Sequence, residues 1–118
     1  MRTVSELRIK AYNATGKANK PTAKSEMYHQ IERLAIDHPE MYNESRFRSE
    51  LSSQTFKLGI FKKRLDDINS RTPTDKVTGE YKYCDFDRKE VVKLKADIRS
   101  CERYIGVCLY VLGEKKSI

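Results

Sequence analysis

Apolar residues recur at alternating steps of three and four along two separate stretches of the chain. In the second stretch they are Val91, Leu94, Ile98, Cys101, Ile105, Cys108 and Leu112. This spacing places all of them on one narrow side of an α-helix, as in helices that pack against a partner along a seam. Asp87 can cap the start of this helix, Glu90 can complete a capping box, and Gly113 can end the helix. The pattern predicts one long helix over residues 87–113.

The first stretch repeats this rule over the same length of chain. Its seam positions are Phe47, Leu51, Gln54, Leu58, Phe61, Leu65 and Ile68. Each set spans 22 residues, on the order of 32 Å of helix, so the two helices carry seams of matched length. We expect them to pair as a long antiparallel hairpin. Gln54, the polar residue among them, either sets the register of the pair or lies at the edge of the seam.

Two weaker patterns precede the hairpin and predict shorter helices. The first pattern is a weak apolar stripe of Val4, Leu7 and Ala11, which Tyr12 can extend, and it predicts a short helix that ends before Gly16. The same stretch is equally compatible with disorder until a partner binds. The second pattern predicts a helix of three to four turns, capped by Thr22 or Ser25. Its apolar positions are Met27, Ile31, Leu34 and Ala35.

The first seam helix carries a second apolar face. It begins either at Pro39 or after a break near Asn43, and Phe56, Ile60 and Lys63 lie roughly opposite its seam. Because such a face needs a partner, we expect the helix over residues 26–37 to cover it within the chain. Coverage by another subunit is the alternative and would make the protein a homo-oligomer.

Together these patterns predict an all-α protein, a long antiparallel helical hairpin with one or two shorter helices packed on it. A chain of 118 residues has room for one domain. We expect residues 1–24 to form a basic flexible N-terminal arm and residues 25–118 to form the helical domain. Residues 69–84 are expected to be a loop with a small hairpin at Thr78-Gly79, and residues 114–118 a polar tail.

Composition disfavours several classes of function. No apolar run approaches 18 residues and the N-terminus lacks the apolar core of a signal peptide, so we expect a cytoplasmic protein without a membrane partner. Three cysteines do not make a disulfide framework, and we interpret Cys101 and Cys108 as core thiols. No Cys or His spacing is typical of a metal site, so neither a metal nor another cofactor is expected. No acid, base and nucleophile are spaced as a catalytic set, which argues against an enzyme.

The positive charge is more informative. A formal net charge of +7 and a pI of about 9.4 suggest an anionic partner. Residues 1–24 hold six cations against one acid, and Lys17, Lys20 and Lys24 fall in a segment expected to be a flexible basic linker. On the last predicted helix, four cations lie within about 80° of one another, away from most of the seam. They are Arg88, Lys95, Arg99 and Arg103, with Tyr110 in the same arc.

Cations beside an aromatic ring are the pattern of single-strand binding without sequence readout. In this interpretation the four cations neutralise phosphates, Tyr110 stacks on a base, and the lysines of the arm add a diffuse attraction. The alternative is a solvated helix face whose cations pair with acids such as Asp97 and Glu102. A second, weaker aromatic and basic cluster lies in or beside the predicted loop and includes Tyr81, Tyr83 and Phe86. The alternative for this cluster is a structural one, in which its rings only close the open end of the hairpin.

A family resemblance supports the same interpretation. Its motifs are Lys63-Arg64-Leu65-Asp66, a loop with Tyr81 and Lys82, Asp87-Arg88-Lys89-Glu90-Val91-Val92-Lys93, and Tyr104-Ile105-Gly106-Val107-Cys108-Leu109. Over about residues 56–112 the chain resembles the helical hairpin of the recombination mediators of T4-type phages (UvsY-like), whereas residues 1–45 do not resemble that family. The resemblance implies a ring-forming helical protein that binds single-stranded DNA and helps to load a recombinase onto strands coated by a single-strand-binding protein.

The sequence therefore favours a non-catalytic accessory protein that binds nucleic acid, with single strands preferred over duplex. A rival interpretation uses the same basic face against a protein. The chain would then be a small phage-type inhibitor or adaptor that binds an acidic host protein or occupies that protein's nucleic-acid site.

Overall fold

Four α-helices account for most of residues 1–113, the part of the chain that the computed structural model describes. They are α1 (Val4–Asn13), α2 (Ala23–Asp37), α3 (Glu44–Arg71) and α4 (Asp85–Val111). An isolated β-bridge joins Thr74 and Tyr81 in the loop, and no strand occurs among the described residues. The predicted all-α class is confirmed, while the expected tail over residues 114–118 lies outside the described part.

α3 and α4 form the long antiparallel hairpin that the two seams predict. Every seam residue of both helices is buried or half-buried. Near the loop, Ile68 of α3 forms a buried cluster with Val91 and Leu94 of α4. At the other end, Phe47 of α3 shares a buried cluster with Cys108 of α4. The hairpin and its pairing are therefore confirmed along the full length of the seams.

The starts of the two long helices show how side chains satisfy free backbone N–H groups. The side-chain oxygen of Asn43 accepts a hydrogen bond from the N–H of Arg46 at 2.9 Å, so α3 begins after the predicted break. α4 begins two residues before the predicted start, because its N-cap is Cys84 and not Asp87. The Cys84 sulfur accepts a hydrogen bond from the N–H of Asp87 at 3.5 Å. Asp87 instead lies in the first turn, where the helix dipole favours negative charge, and pairs with Arg71 at 2.9 Å.

The loop between α3 and α4 is structured over residues 72–84. Backbone hydrogen bonds join Asp75 N–H to Glu80 C=O at 2.7 Å and Lys82 N–H to Pro73 C=O at 2.8 Å. Gly79 has a φ of 73°, a left-handed conformation that glycine adopts without steric cost. These contacts make a small hairpin at the predicted place.

α1 and α2 pack against each other and against the half of α4 that is remote from the loop. Their shared cluster contains Leu7 and Ala11 of α1 and Tyr28 of α2, each at most 1% exposed. Val107 and Val111 of α4 also belong to it, at 0% exposure. Burial raises the pKa of Tyr28 to about 12. The largest buried cluster therefore lies where both short helices meet the end of the hairpin.

The structure differs from the flexible arm expected over residues 1–24. The short helix ends before Gly16 as predicted, but its apolar side is part of the core rather than free. The chain then turns back sharply, since Gly16 N–H donates to Lys20 C=O at 2.8 Å and Thr22 Oγ1 donates to Ala14 C=O at 2.7 Å. Burial of α1 and these turn contacts hold the N-terminal segment against the helical domain.

Two cations of the N-terminal segment also have structural partners. The Arg2 N–H donates to Val111 C=O at 2.9 Å, and its guanidinium donates to Tyr110 C=O at 3.0 Å. These carbonyls belong to the last turn of α4, where a positive charge is favoured. Arg8 of α1 forms an ion pair with the nearly buried Glu32 of α2 at 2.7 Å. Both contacts fix α1 in place.

The second apolar face of α3 is not covered by α2, so that prediction is wrong. Phe56 is 71% exposed and Ile60 is 39% exposed. The reason is that α2 directs Ile31 and Tyr28 into the cluster that it forms with α1 and α4. These side chains of α2 therefore pack in that cluster and not on α3, and the alternative of another subunit stays a prediction.

The three cysteines should differ in reactivity. Cys84 is exposed, whereas Cys101 and Cys108 are buried. Burial raises the pKa of the Cys101 thiol and raises that of Cys108 to about 11, where Glu50 adds a smaller effect. Because the thiolate is the reactive form, we expect iodoacetamide to alkylate Cys84 in the folded protein and all three thiols after unfolding in urea. Mass spectrometry counts the adducts, and three adducts on the folded protein would contradict the buried positions.

Candidate nucleic-acid interface

The basic stripe is the set of four cations Arg88, Lys95, Arg99 and Arg103 on α4. The first three side chains are exposed and Arg103 is half-buried. At a rise of 1.5 Å per residue the stripe is about 22 Å long. Because α3 packs along α4 for its whole length, the stripe presents positive charge at fixed spacing from a rigid helix.

The cations of the basic stripe have no acidic partners in residues 1–113. None of them forms an ion pair with another residue of that range. Asp97 and Glu102, the acids expected to neutralise them in the alternative interpretation, form no ion pair there either. This geometry favours an available cationic surface over a face that neutralises itself.

Tyr110 does not extend the basic stripe, contrary to the expectation from the helical wheel. Its half-buried ring meets the Tyr28 ring edge-on, with the centroids 5.6 Å apart. The Arg2 guanidinium lies 4.4 Å from the centroid of the same ring, and Lys10 Nζ lies 4.7 Å from it. In these cation–π contacts the Tyr110 ring interacts with cations of the protein itself. Tyr110 is therefore a structural contact between α1, α2 and α4 rather than a platform for a base.

The three lysines predicted to add a diffuse attraction are all exposed. Lys17 and Lys20 lie in the turn after α1, and Lys24 lies in the first turn of α2. Lys24 also lines a shallow depression with Lys10 of α1. Since Lys10 touches the Tyr110 ring, the fold brings Lys24 toward the Tyr110 end of α4. No contact joins Lys17 or Lys20 to the stripe within the described residues.

The opposite side of the hairpin carries a groove that sequence reasoning did not find. It encloses about 380 Å³ between α3 and α4. Its lining residues are Phe61, Arg64, Phe86, Lys89, Glu90, Lys93, Leu94 and Asp97. The wheel angles of Arg64 and Phe86, both beside the seam on one side, could have revealed it. The groove mixes three cations with two acids, so it is a weaker anion site than the stripe.

Other kinds of site have little support in the described range. There, no group of three or more His, Cys, Asp or Glu side chains is placed to hold a metal ion. No helix of residues 1–113 is both long and apolar enough to cross a membrane.

Comparisons of the chain with protein-family models, curated proteins and solved structures find no match.

Proposed function

We propose that the protein is a non-catalytic cytoplasmic accessory protein that binds single-stranded nucleic acid along the basic stripe. The observation that supports this function is a row of cations on a rigid helix, three of them exposed and all four without acidic partners in the described range. Such cations bind phosphates with little reorganisation of the protein. Their binding releases counterions from the nucleic acid, which drives association at low salt.

The identity of the single strand rests on the family resemblance over residues 56–112. If the chain acts as recombination mediators do, its ligand is single-stranded DNA and a recombinase is a further partner. The hairpin that carries the resembling motifs is also the element that displays the stripe. We therefore propose DNA as the strand and a mediator role as the most specific form of this function.

The experiment that tests the proposed function is equilibrium binding of fluorescent oligonucleotides. Single-stranded DNA, single-stranded RNA and duplex DNA of one length are titrated with the protein at low salt. We expect single strands to bind most tightly. If no nucleic acid binds, the function as an inhibitor or adaptor of an acidic protein becomes the better account of the same surface.

The outer face of α3 favours self-association as the way to cover Phe56 and Ile60. From Ser45 to Ile60 this face contains no charged residue, and Lys63 follows at the end of the face nearer the loop. Two copies with a net charge of +7 each can approach there without placing cations against each other. A second copy therefore fits this face better than a charged partner does.

Sedimentation velocity of a Phe56→Asp variant tests this self-association. We expect the native protein to sediment as more than one copy and the variant as a folded monomer, because the added carboxylate would be buried without a partner in the assembly. Ile9→Asp is the matched control, since Ile9 is 61% exposed on α1. A native protein that sediments as a single copy would contradict the prediction.

A further inference from the structure

Two stacked tyrosines lie at the loop end of the hairpin. The ring centroids of Tyr81 and Tyr83 are 5.6 Å apart and the rings are inclined by 28°. Tyr83 is half-buried against the cluster that contains Ile68 and Val91, and its hydroxyl donates a hydrogen bond to Asn69. Tyr81 is 45% exposed. The half-buried Tyr83 ring therefore anchors the pair, and the exposed Tyr81 ring is the outer member of the stack.

The backbone around the stack is ordered by hydrogen bonds. Tyr81 forms the isolated bridge with Thr74, and the neighbouring Lys82 N–H donates to Pro73 C=O at 2.8 Å. Asp75 accepts hydrogen bonds from two backbone N–H groups in the turn, which lowers the pKa of its carboxyl group. The exposed ring is thus presented by a structured hairpin, so little conformational entropy is lost when another flat group stacks on it.

The stack lies on the same side of the hairpin as the basic stripe. On α3, Asn69 is about 140° around the helix from Arg64, which lines the groove on the other side. The hydrogen bond from Tyr83 to Asn69 therefore places the stack on the side away from the groove. On α4 that side presents Arg88 and Lys95, the two cations of the stripe nearest the loop.

We propose that Tyr81 and Tyr83 form a stacking platform for an unpaired nucleobase of a strand whose phosphates lie on the basic stripe. This inference rests on the proposed function and adds a determinant of its specificity. A base of a single strand is free to leave its neighbours and stack on Tyr81, whereas a base within a duplex already has partners on both faces. The platform therefore selects single strands, while the stripe alone would bind either form.

Binding of oligonucleotides by Tyr81 variants tests the platform. Tyr81→Ala and Tyr81→Leu both remove the aromatic ring, and Leu keeps apolar bulk in the loop. We expect each to weaken single-strand binding by roughly 5- to 150-fold and to leave duplex binding unchanged. Tyr81→Phe should bind as the native protein does. Tyr12→Ala is the matched control, since Tyr12 is 60% exposed on α1, away from the loop.

A fluorescent base gives a second readout that a merely structural role would not change. A single strand containing 2-aminopurine should lose fluorescence when it binds the native protein or Tyr81→Phe, because the base stacks. The loss should be absent with Tyr81→Ala under saturating conditions. If Tyr81→Ala binds and quenches as the native protein does, the platform is overturned while the stripe stands. If the native protein binds no nucleic acid, both proposals are overturned.

Discussion

Reversing two cations of the basic stripe, Lys95→Glu with Arg99→Glu, is expected to abolish measurable binding of single-stranded DNA. Both side chains are exposed and neither has an ion-pair partner in the described range, so the substitutions should leave the fold intact. Two phosphate contacts are lost and two carboxylates then repel the strand. We expect an affinity loss of about a hundredfold or more at low salt.

The matched control uses two lysines of the same helix. Lys89→Glu with Lys93→Glu has the same spacing along α4 but changes the flank that faces the groove. Each double variant lowers the formal net charge from +7 to +3, because every Lys or Arg replaced by Glu changes the charge by two. Equal loss of binding in both variants would show that net charge alone drives binding. Loss in the control only would place the strand in the groove.

Leu7→Ala is expected to lower the free energy of unfolding by about 2–5 kcal/mol. Leu7 is 0% exposed in the cluster that joins α1 to α2 and α4, so the shorter side chain leaves a cavity there. For a small domain this is a large fraction of the total stability, typically about 5–15 kcal/mol. Chemical denaturation followed by circular dichroism measures the change.

The control for this substitution is Ile9→Ala on the same helix. Ile9 is 61% exposed, so its truncation should change the free energy of unfolding by no more than about 0.5 kcal/mol. Equal effects at the two positions would mean that α1 is not packed in the core.

The buried position of Leu7 also affects how the lysines of the N-terminal segment are tested. Deleting residues 1–20 would remove α1, so Lys17, Lys20 and Lys24 should be replaced by Gln instead.

The hairpin could be predicted because each long helix carries its own regular spacing of apolar residues, and the second helix repeats the spacing of the first. Seven seam positions on each helix follow one spacing, and all of them are buried or half-buried in the structure. α1 had a much weaker signal, since only Leu7 and Ala11 are buried on it. It is stabilised by packing against Tyr28 of α2 and against Val107 and Val111 of α4, and the two valines are distant in sequence. A spacing of 104, 107 and 111 on α4 was the available sign of this second buried face.

The candidate site was predictable only in part. A helical wheel gives the direction in which a side chain points from its helix, but it does not show which other parts of the chain contact that side chain. The wheel placed Tyr110 in the arc of the basic stripe, but Arg2, which precedes α1, and Lys10 of α1 lie over that ring. The helical wheel of α3 correctly placed Phe56 away from the seam. The sequence near Phe56 could not show that α2 packs against α1 and α4 and leaves this face uncovered. The position of Tyr81 depends on its stack with Tyr83, whose hydroxyl donates to Asn69 of α3, and residue spacing does not predict such contacts.

The salt dependence of single-strand affinity tests the central claim most directly. Four phosphate contacts to the basic stripe predict a slope of about −3 for the logarithm of the association constant against the logarithm of the salt concentration. Arg99→Gln removes one contact and should flatten that slope by about 0.7. An affinity that does not change with salt, or an equal slope for both proteins, would contradict phosphate binding by the stripe.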